Sequence, residues 1–117
     1  MTAPLWMPFY VDNYLADTTH LTPLEHGAYL LLMLQYWKDG KLPHDDARLA
    51  RIAHLPEAQW AEIKPTMHDL FKGGNWRHKR IDVELKEAAK RIEKRAEAGR
   101  IGGLASAASR KQSLRRR

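Results

Sequence analysis

The side chains of this chain best placed to do chemistry are cations, and the chemistry they suit is the holding of phosphate. Arg100, Arg110, Lys111, Arg115, Arg116 and Arg117 fall within the last eighteen residues, with no acid among them. Their charge equals the +6 of the whole chain, so residues 1–99 carry fourteen basic and fourteen acidic side chains and sum to zero. That partition describes a neutral body with a basic arm rather than a uniformly basic protein, and the arm suits a polyanion. Each Lys or Arg that meets a phosphate of B-DNA releases a counterion, so six such contacts predict a log–log salt slope of about −5. Contacts of this kind supply affinity and carry no sequence information.

Two more cationic groups lie upstream. Lys72, Arg77, Lys79 and Arg80, with His78, surround the run Lys72-Gly73-Gly74-Asn75. The Gly pair predicts a hairpin tip and Trp76 to Ile81 the returning strand. Alternate side chains of that hairpin would reach phosphates; equally, the same charges would guard a solvated edge strand against pairing. Lys86, Lys90 and Lys94 stand at i, i+4 and i+8, with Arg91 and Arg95 beside them. Like charges at this spacing each cost about 0.2–0.5 kcal/mol, which an external polyanion would relieve. Glu84, Glu87, Glu93 and Glu97 offset part of that cost from within, so a solvated face is the other reading.

Catalysis and metal binding find little support. The chain has no Cys, which excludes disulfides and thiolate sites. Its histidines (20, 26, 44, 54, 68 and 78) show no i, i+4 pair of the metal-binding type. In His44-Asp45-Asp46, Asp45 has a better use as a helix cap. No nucleophile elbow or phosphate-cradling Gly loop is present, so no catalytic residue, metal or cofactor is expected. The longest apolar run, residues 28–34, is far short of the roughly 20 residues of a membrane span.

The elements that must position these charges are read from caps and periodicity. Residues 7–10 look extended, with Pro8 marking an edge, and a short helical turn is expected around residues 14–16. Thr22-Pro23-Leu24-Glu25 is a capping box, and Gly40 is the matching stop. The helix between them is apolar almost all round, which predicts burial on every face. A second helix is expected over residues 45–54, capped by Asp45 and broken by Leu55-Pro56. A third is expected over residues 57–71, with Trp60, Ile63, Met67 and Leu70 inward and Pro65 kinking or splitting it. After the hairpin, Asp82 would cap a final helix over residues 83–98, closed by Gly99, and the remainder reads as flexible. The expected fold is therefore mainly α with a small β-hairpin. It is a winged helix-turn-helix over residues 1–81, a basic helix over 82–99 and a basic arm over 100–117. A plain helical bundle, with 72–81 as a loop, is the alternative.

Pro8-Phe9-Tyr10, Leu15-Ala16-Asp17-Thr18, Leu21-Thr22, Glu25 and Gly27-Ala28-Tyr29, followed by Trp37, Leu42-Pro43, Trp60 and Gly99/Gly102-Gly103, resemble a bacterial and prophage family of unknown function, the YdaU-like proteins. The resemblance covers residues 7–103. It implies kinship with the winged-helix N-terminal domains of phage replication initiators (replisome organisers), and hence a cytoplasmic, nucleoid-associated role in starting phage or prophage DNA replication. Family members often continue into a longer C-terminal region, and functions housed there do not carry over to these 117 residues.

One feature limits the simplest reading. The third helix would be the recognition helix, with Gln59, Glu62, Thr66 and Asp69 outward; Gln59 could read adenine, yet residues 56–71 sum to −2, which does not suit a major-groove reader. Residues 1–63 sum to −4 and residues 64–99 to +4, and the acidic half suits a protein partner. Two functions follow. One is a DNA-binding accessory protein of replication initiation, acting on double- or single-stranded DNA through wing and arm. The other is an adaptor that docks a replicative helicase, a helicase loader or a host factor; a transcriptional repressor is a third, less favoured reading. Weak homodimerisation through Ile81, Leu85, Ala88 and Ile92 is compatible with either of the first two.

Overall fold

A computed structural model describes residues 5–72 and 75–115, the last seven of them by backbone alone. Five helices follow one another: α1 (Val11–Asp17), α2 (Pro23–Asp39), α3 (Asp46–Ile52), α4 (Glu57–Leu70) and α5 (Lys79–Arg115). The chain divides into two compact units, Met1–Leu85 and Lys86–Arg117.

α2 forms as its termini predict. Thr22 Oγ1 accepts from Glu25 N at 3.2 Å while Glu25 Oε1 accepts from Thr22 N at 2.9 Å, so both halves of the capping box are made. At the other end Gly40 takes the left-handed conformation, φ 76°, and donates its N–H to Tyr36 O. A Cβ there would meet no neighbour but would be strained by that φ. Gly40→Ala is expected to lower stability by about 1 kcal/mol, read from the urea midpoint.

Burial on all faces of α2 does not hold. Ala28, Tyr29, Leu32, Met33, Tyr36 and Trp37 are buried, whereas Leu30 and Leu34 stay 41% and 46% exposed. α3 and α4 pack on α2 and on each other, and Tyr29 and Tyr36 meet Tyr14 of α1 and the start of α5, which leaves Leu30 and Leu34 uncovered among the described residues.

Asp45 caps α3 as expected, accepting from Ala47 N. α3 ends in a two-bond C-terminal cap, His54 N to Arg51 O and Leu55 N to Ala50 O, with His54 in the left-handed region that glycine usually fills. α4 begins at Glu57, after the N-cap Pro56, and runs unbroken through Pro65. Its inward stripe of Trp60, Ile63, Met67 and Leu70 is buried as its periodicity requires. Trp60 donates its indole N–H to Asp46 at 3.2 Å, and Lys64 reaches the same carboxylate, tying α4 to α3. Those two donors, Lys64 first, hold the Asp46 carboxyl below the usual range.

The winged fold is overturned. No strand occurs among the described residues, neither at 7–10 nor at 76–81, so there is no wing. Two features replace the hairpin. Asn75 and Trp76 both take positive φ, 47° and 59°, and turn the chain sharply. The turn drives the Trp76 ring into the core, between Trp60 (5.8 Å), Phe71 (5.6 Å) and His68 (5.1 Å). A left-handed non-glycine residue costs about 1–3 kcal/mol. Burying some 150–250 Å² of indole returns at most about 4–6 kcal/mol at 25 cal/mol/Å², the same size as the roughly 2–6 kcal/mol of strain at the two positions together. The chain then enters α5 four residues earlier than expected, at Lys79. The expected stop at Gly99 also fails: α5 continues through Gly99, Gly102 and Gly103 to Arg115, where a flexible arm was anticipated. Ala96, Ala98, Ala105, Ala107 and Ala108 supply the strongest helix propensity around those glycines, each of which costs about 1 kcal/mol.

Candidate nucleic-acid interface

The start of α5 is organised by His78. Its Nδ1 accepts from Ile81 N at 3.3 Å, the N-cap bond usually made by Ser, Thr, Asp or Asn. An accepting Nδ1 places the ring hydrogen on Nε2, which lies 2.9 Å from Tyr29 Oη. The His78 backbone N–H donates to Tyr36 Oη at 3.2 Å, and Tyr36 Oη donates to Asp82 Oδ1. Asp82 thus serves the first turn of α5 as an acceptor inside the helix, not as its cap. Burial raises the Tyr14 and Tyr36 phenols and pushes Tyr29 up to about 12, the Asp17 carboxylate adding to the last.

Burial also lowers the His78 pKa, with Arg80 assisting and Asp82 and Asp17 opposing. The unfolded chain therefore takes up this proton more readily than the folded one. Stability tied to neutral His78 is complete above the ordinary value of 6.5 and is lost as pH falls below it. The urea midpoint is expected to drop between about pH 7.5 and about pH 5. His78→Asn, which keeps a capping acceptor, should flatten that drop; an unchanged slope would show that other groups cause it.

The four cations expected on the wing have separate fates. Arg77 is committed to the fold: it lies 3.0 Å from Asp82 Oδ1, reaches Gly40 O at 3.4 Å and covers the Tyr36 ring at 5.4 Å. Lys72 sits 3.8 Å from Asp17, an exposed pair of small energetic worth. Arg80 lies over the Tyr10 ring at 5.8 Å, and Tyr10 Oη donates to Glu84. Lys79 is exposed and makes no ion pair with a described residue.

Lys72, Lys79 and Arg80 come together with a set of rings that sequence reasoning did not select. They line a cleft of about 220 Å³ whose walls include Met7, Phe9, Tyr14, Tyr29, His78 and Ile81. Phe9 leans on Tyr14 (5.1 Å), and Tyr14 stacks on Tyr29 (6.1 Å, 10° between planes). The Tyr14 hydroxyl pairs with His26 Nδ1 at 2.7 Å. The only signal in the sequence was aromatic density in residues 6–14, which cannot reveal a partner some sixty residues away.

In the second unit Lys86, Lys90, Arg91, Lys94, Arg95 and Arg100 are all exposed on α5. Lys90 pairs with Glu87 and Arg100 with Glu97, each at i, i+3. Lys86, Arg91, Lys94 and Arg95 make no ion pair with a described residue. Arg110, Lys111 and Arg115 lie on the last turns of α5 with side chains outside the described set, and Arg116 and Arg117 lie beyond the described residues. Gln59 is exposed near the start of α4, between the exposed carboxylates of Glu57 and Glu62. No group of three potential metal ligands occurs among the described residues, and none of their helices is long and apolar enough to cross a membrane.

Residues 5–86 match the model of a protein family of unknown function, DUF1376. The chain belongs to the DUF1376 family. An uncharacterized protein of Escherichia coli (strain K12), YdaU, is 43% identical over 102 residues, 86% of this chain. The chain spans about a third (35%) of that relative's length. No solved structure is similar to it. The DUF1376 match ends one residue past Leu85, where the first compact unit ends, whereas the YdaU match, over 86% of the chain, runs on into the basic part of α5.

Proposed function

We propose that this DUF1376 protein is a DNA-associated accessory factor of phage or prophage replication initiation. α5 anchors it on the phosphate backbone, while the compact unit engages a protein such as a replicative helicase or helicase loader. The observation that carries the reading is the partition of charge. Met1–Leu85 holds nine basic and eleven acidic residues, a net −2; Lys86–Arg117 holds eleven basic and three acidic residues, a net +8. A helix with that excess suits DNA without regard to sequence. The replication context rests on the family resemblance of the N-terminal block alone.

The exposed Glu57, Glu62 and Asp69 of α4 support the protein-docking half, since carboxylates repel phosphate. The same residues favour the second reading, an adaptor for which DNA contact is incidental. The deciding experiment is fluorescence anisotropy with duplex DNA across a salt series, comparing the full chain with a variant carrying Ala at positions 86, 90, 91, 94 and 95. Weak, salt-insensitive binding by the unaltered chain would leave the adaptor.

A further inference from the structure

We propose that the cleft at the start of α5 takes one nucleotide: a nucleoside monophosphate, free or as an unpaired residue of single-stranded DNA. The base would lie against Phe9 and Tyr14, and the phosphate among Lys72, Lys79 and Arg80. Three observations converge on this ligand. The first is size. About 220 Å³ is below the roughly 300 Å³ at which pockets begin to hold drug-sized molecules, so the cleft suits one flat ring system and not a helix or a duplex.

The second is the wall. Phe9 is 47% exposed and continues the layered Tyr14–Tyr29 pair, a platform on which a base can stack. The Tyr14 and Tyr29 hydroxyls are already engaged by His26 and His78, so the platform offers stacking with little reading of base edges. The third is charge. Three cations and a single carboxylate, Asp17, line a cleft in a unit whose net charge is −2, and the positive end of α5 opens there as well. An inorganic anion would need no aromatic wall, and an apolar side chain of a partner would need no cations. Rings beside cations fit a nucleotide. A base inside a duplex cannot reach the wall without leaving its stack, so the cleft discriminates single strands from duplexes, which phosphate contacts along α5 cannot do.

The single-stranded arm rests on the proposed DNA association; the mononucleotide arm does not. The test titrates the full chain with deoxythymidine monophosphate, monitored by NMR of the aromatic side chains. It then compares a single-stranded oligothymidylate with a duplex of equal length by anisotropy. Saturable shifts at Phe9 and Tyr14, and tighter binding of the single strand, are expected. Phe9→Ala, at an exposed position, should weaken single-strand binding by roughly tenfold and leave duplex binding unchanged, and Lys79→Ala should weaken single-strand binding more than duplex binding. Lys90→Ala/Lys94→Ala should weaken both DNAs alike and leave the mononucleotide unaffected. Shifts with the mononucleotide alone would assign the cleft to free nucleotides and support the same chemistry. Absence of saturable shifts, equal loss of duplex and single-strand binding in Phe9→Ala, or displacement of the mononucleotide by phenylalanine amide at equal concentration would overturn the proposal. Duplex binding indifferent to the α5 variant would overturn the anchor and leave the cleft standing on its own result.

Discussion

Trp60→Ala is expected to bring the protein to the edge of unfolding at room temperature. Trp60 is 1% exposed, packs on Trp76 at 5.8 Å and donates to Asp46, so one side chain joins α4 to α3 and to the turn before α5. Truncating a buried Trp costs about 3–5 kcal/mol. The orphaned Asp46 is exposed and keeps Lys64, so it adds little to that figure. A small domain has about 5–15 kcal/mol in total, and a body of this size sits toward the lower end. The loss also removes the support that holds Trp76 in its strained turn, so the two effects compound. Trp60→Phe separates packing from hydrogen bonding: it keeps a ring against Trp76, loses the N–H and should cost only about 1–2 kcal/mol. Urea unfolding followed by circular dichroism reads both. A loss below about 1 kcal/mol in Trp60→Ala would place the centre of the core elsewhere.

The second large effect is electrostatic. Replacing Lys86, Lys90, Arg91, Lys94 and Arg95 by Ala removes five exposed charges and, because Ala is the best helix former, should leave α5 helical. If all five meet phosphate, the slope of log K against log salt should become shallower by about 4.5. At about 0.1 M salt that corresponds to roughly 4.5 decades of affinity relative to 1 M. The loss should be the same for every duplex sequence, because no base contact is involved. Circular dichroism checks that helix content is kept. A variant whose slope matches the unaltered chain would show that these residues face solvent and balance Glu84, Glu87, Glu93 and Glu97.

The parts of the fold that were legible are those governed by local chemistry. Thr22 with Glu25, Gly40 and Asp45 each act within a few residues of themselves, and the stripe from Trp60 to Leu70 repeats at the helical period. The turn into α5 was illegible for a physical reason. Gly73-Gly74-Asn75 followed by Trp76 matches a hairpin, and what decides against it is tertiary: a cavity between Trp60 and Phe71 that takes the indole, and a histidine acting as cap because Tyr29 and Tyr36 hold it in place. The cations of the expected wing could be named from sequence, but their roles could not. Arg77 proved to be part of the framework, whereas Lys79 and Arg80 reach a cleft whose other wall comes from residues 7–14 and 29.

The placement of the tryptophans gives this protein optical properties that follow from its packing. Trp37, Trp60 and Trp76 are nearly dry, at 6%, 1% and 6% exposure, while Trp6 is 67% exposed and adjoins Met7 in the cleft wall. Native emission is therefore the sum of three blue-shifted indoles and one in water. The three report the integrity of the core, and the fourth, one residue before Met7, is accessible to a collisional quencher while the others are shielded.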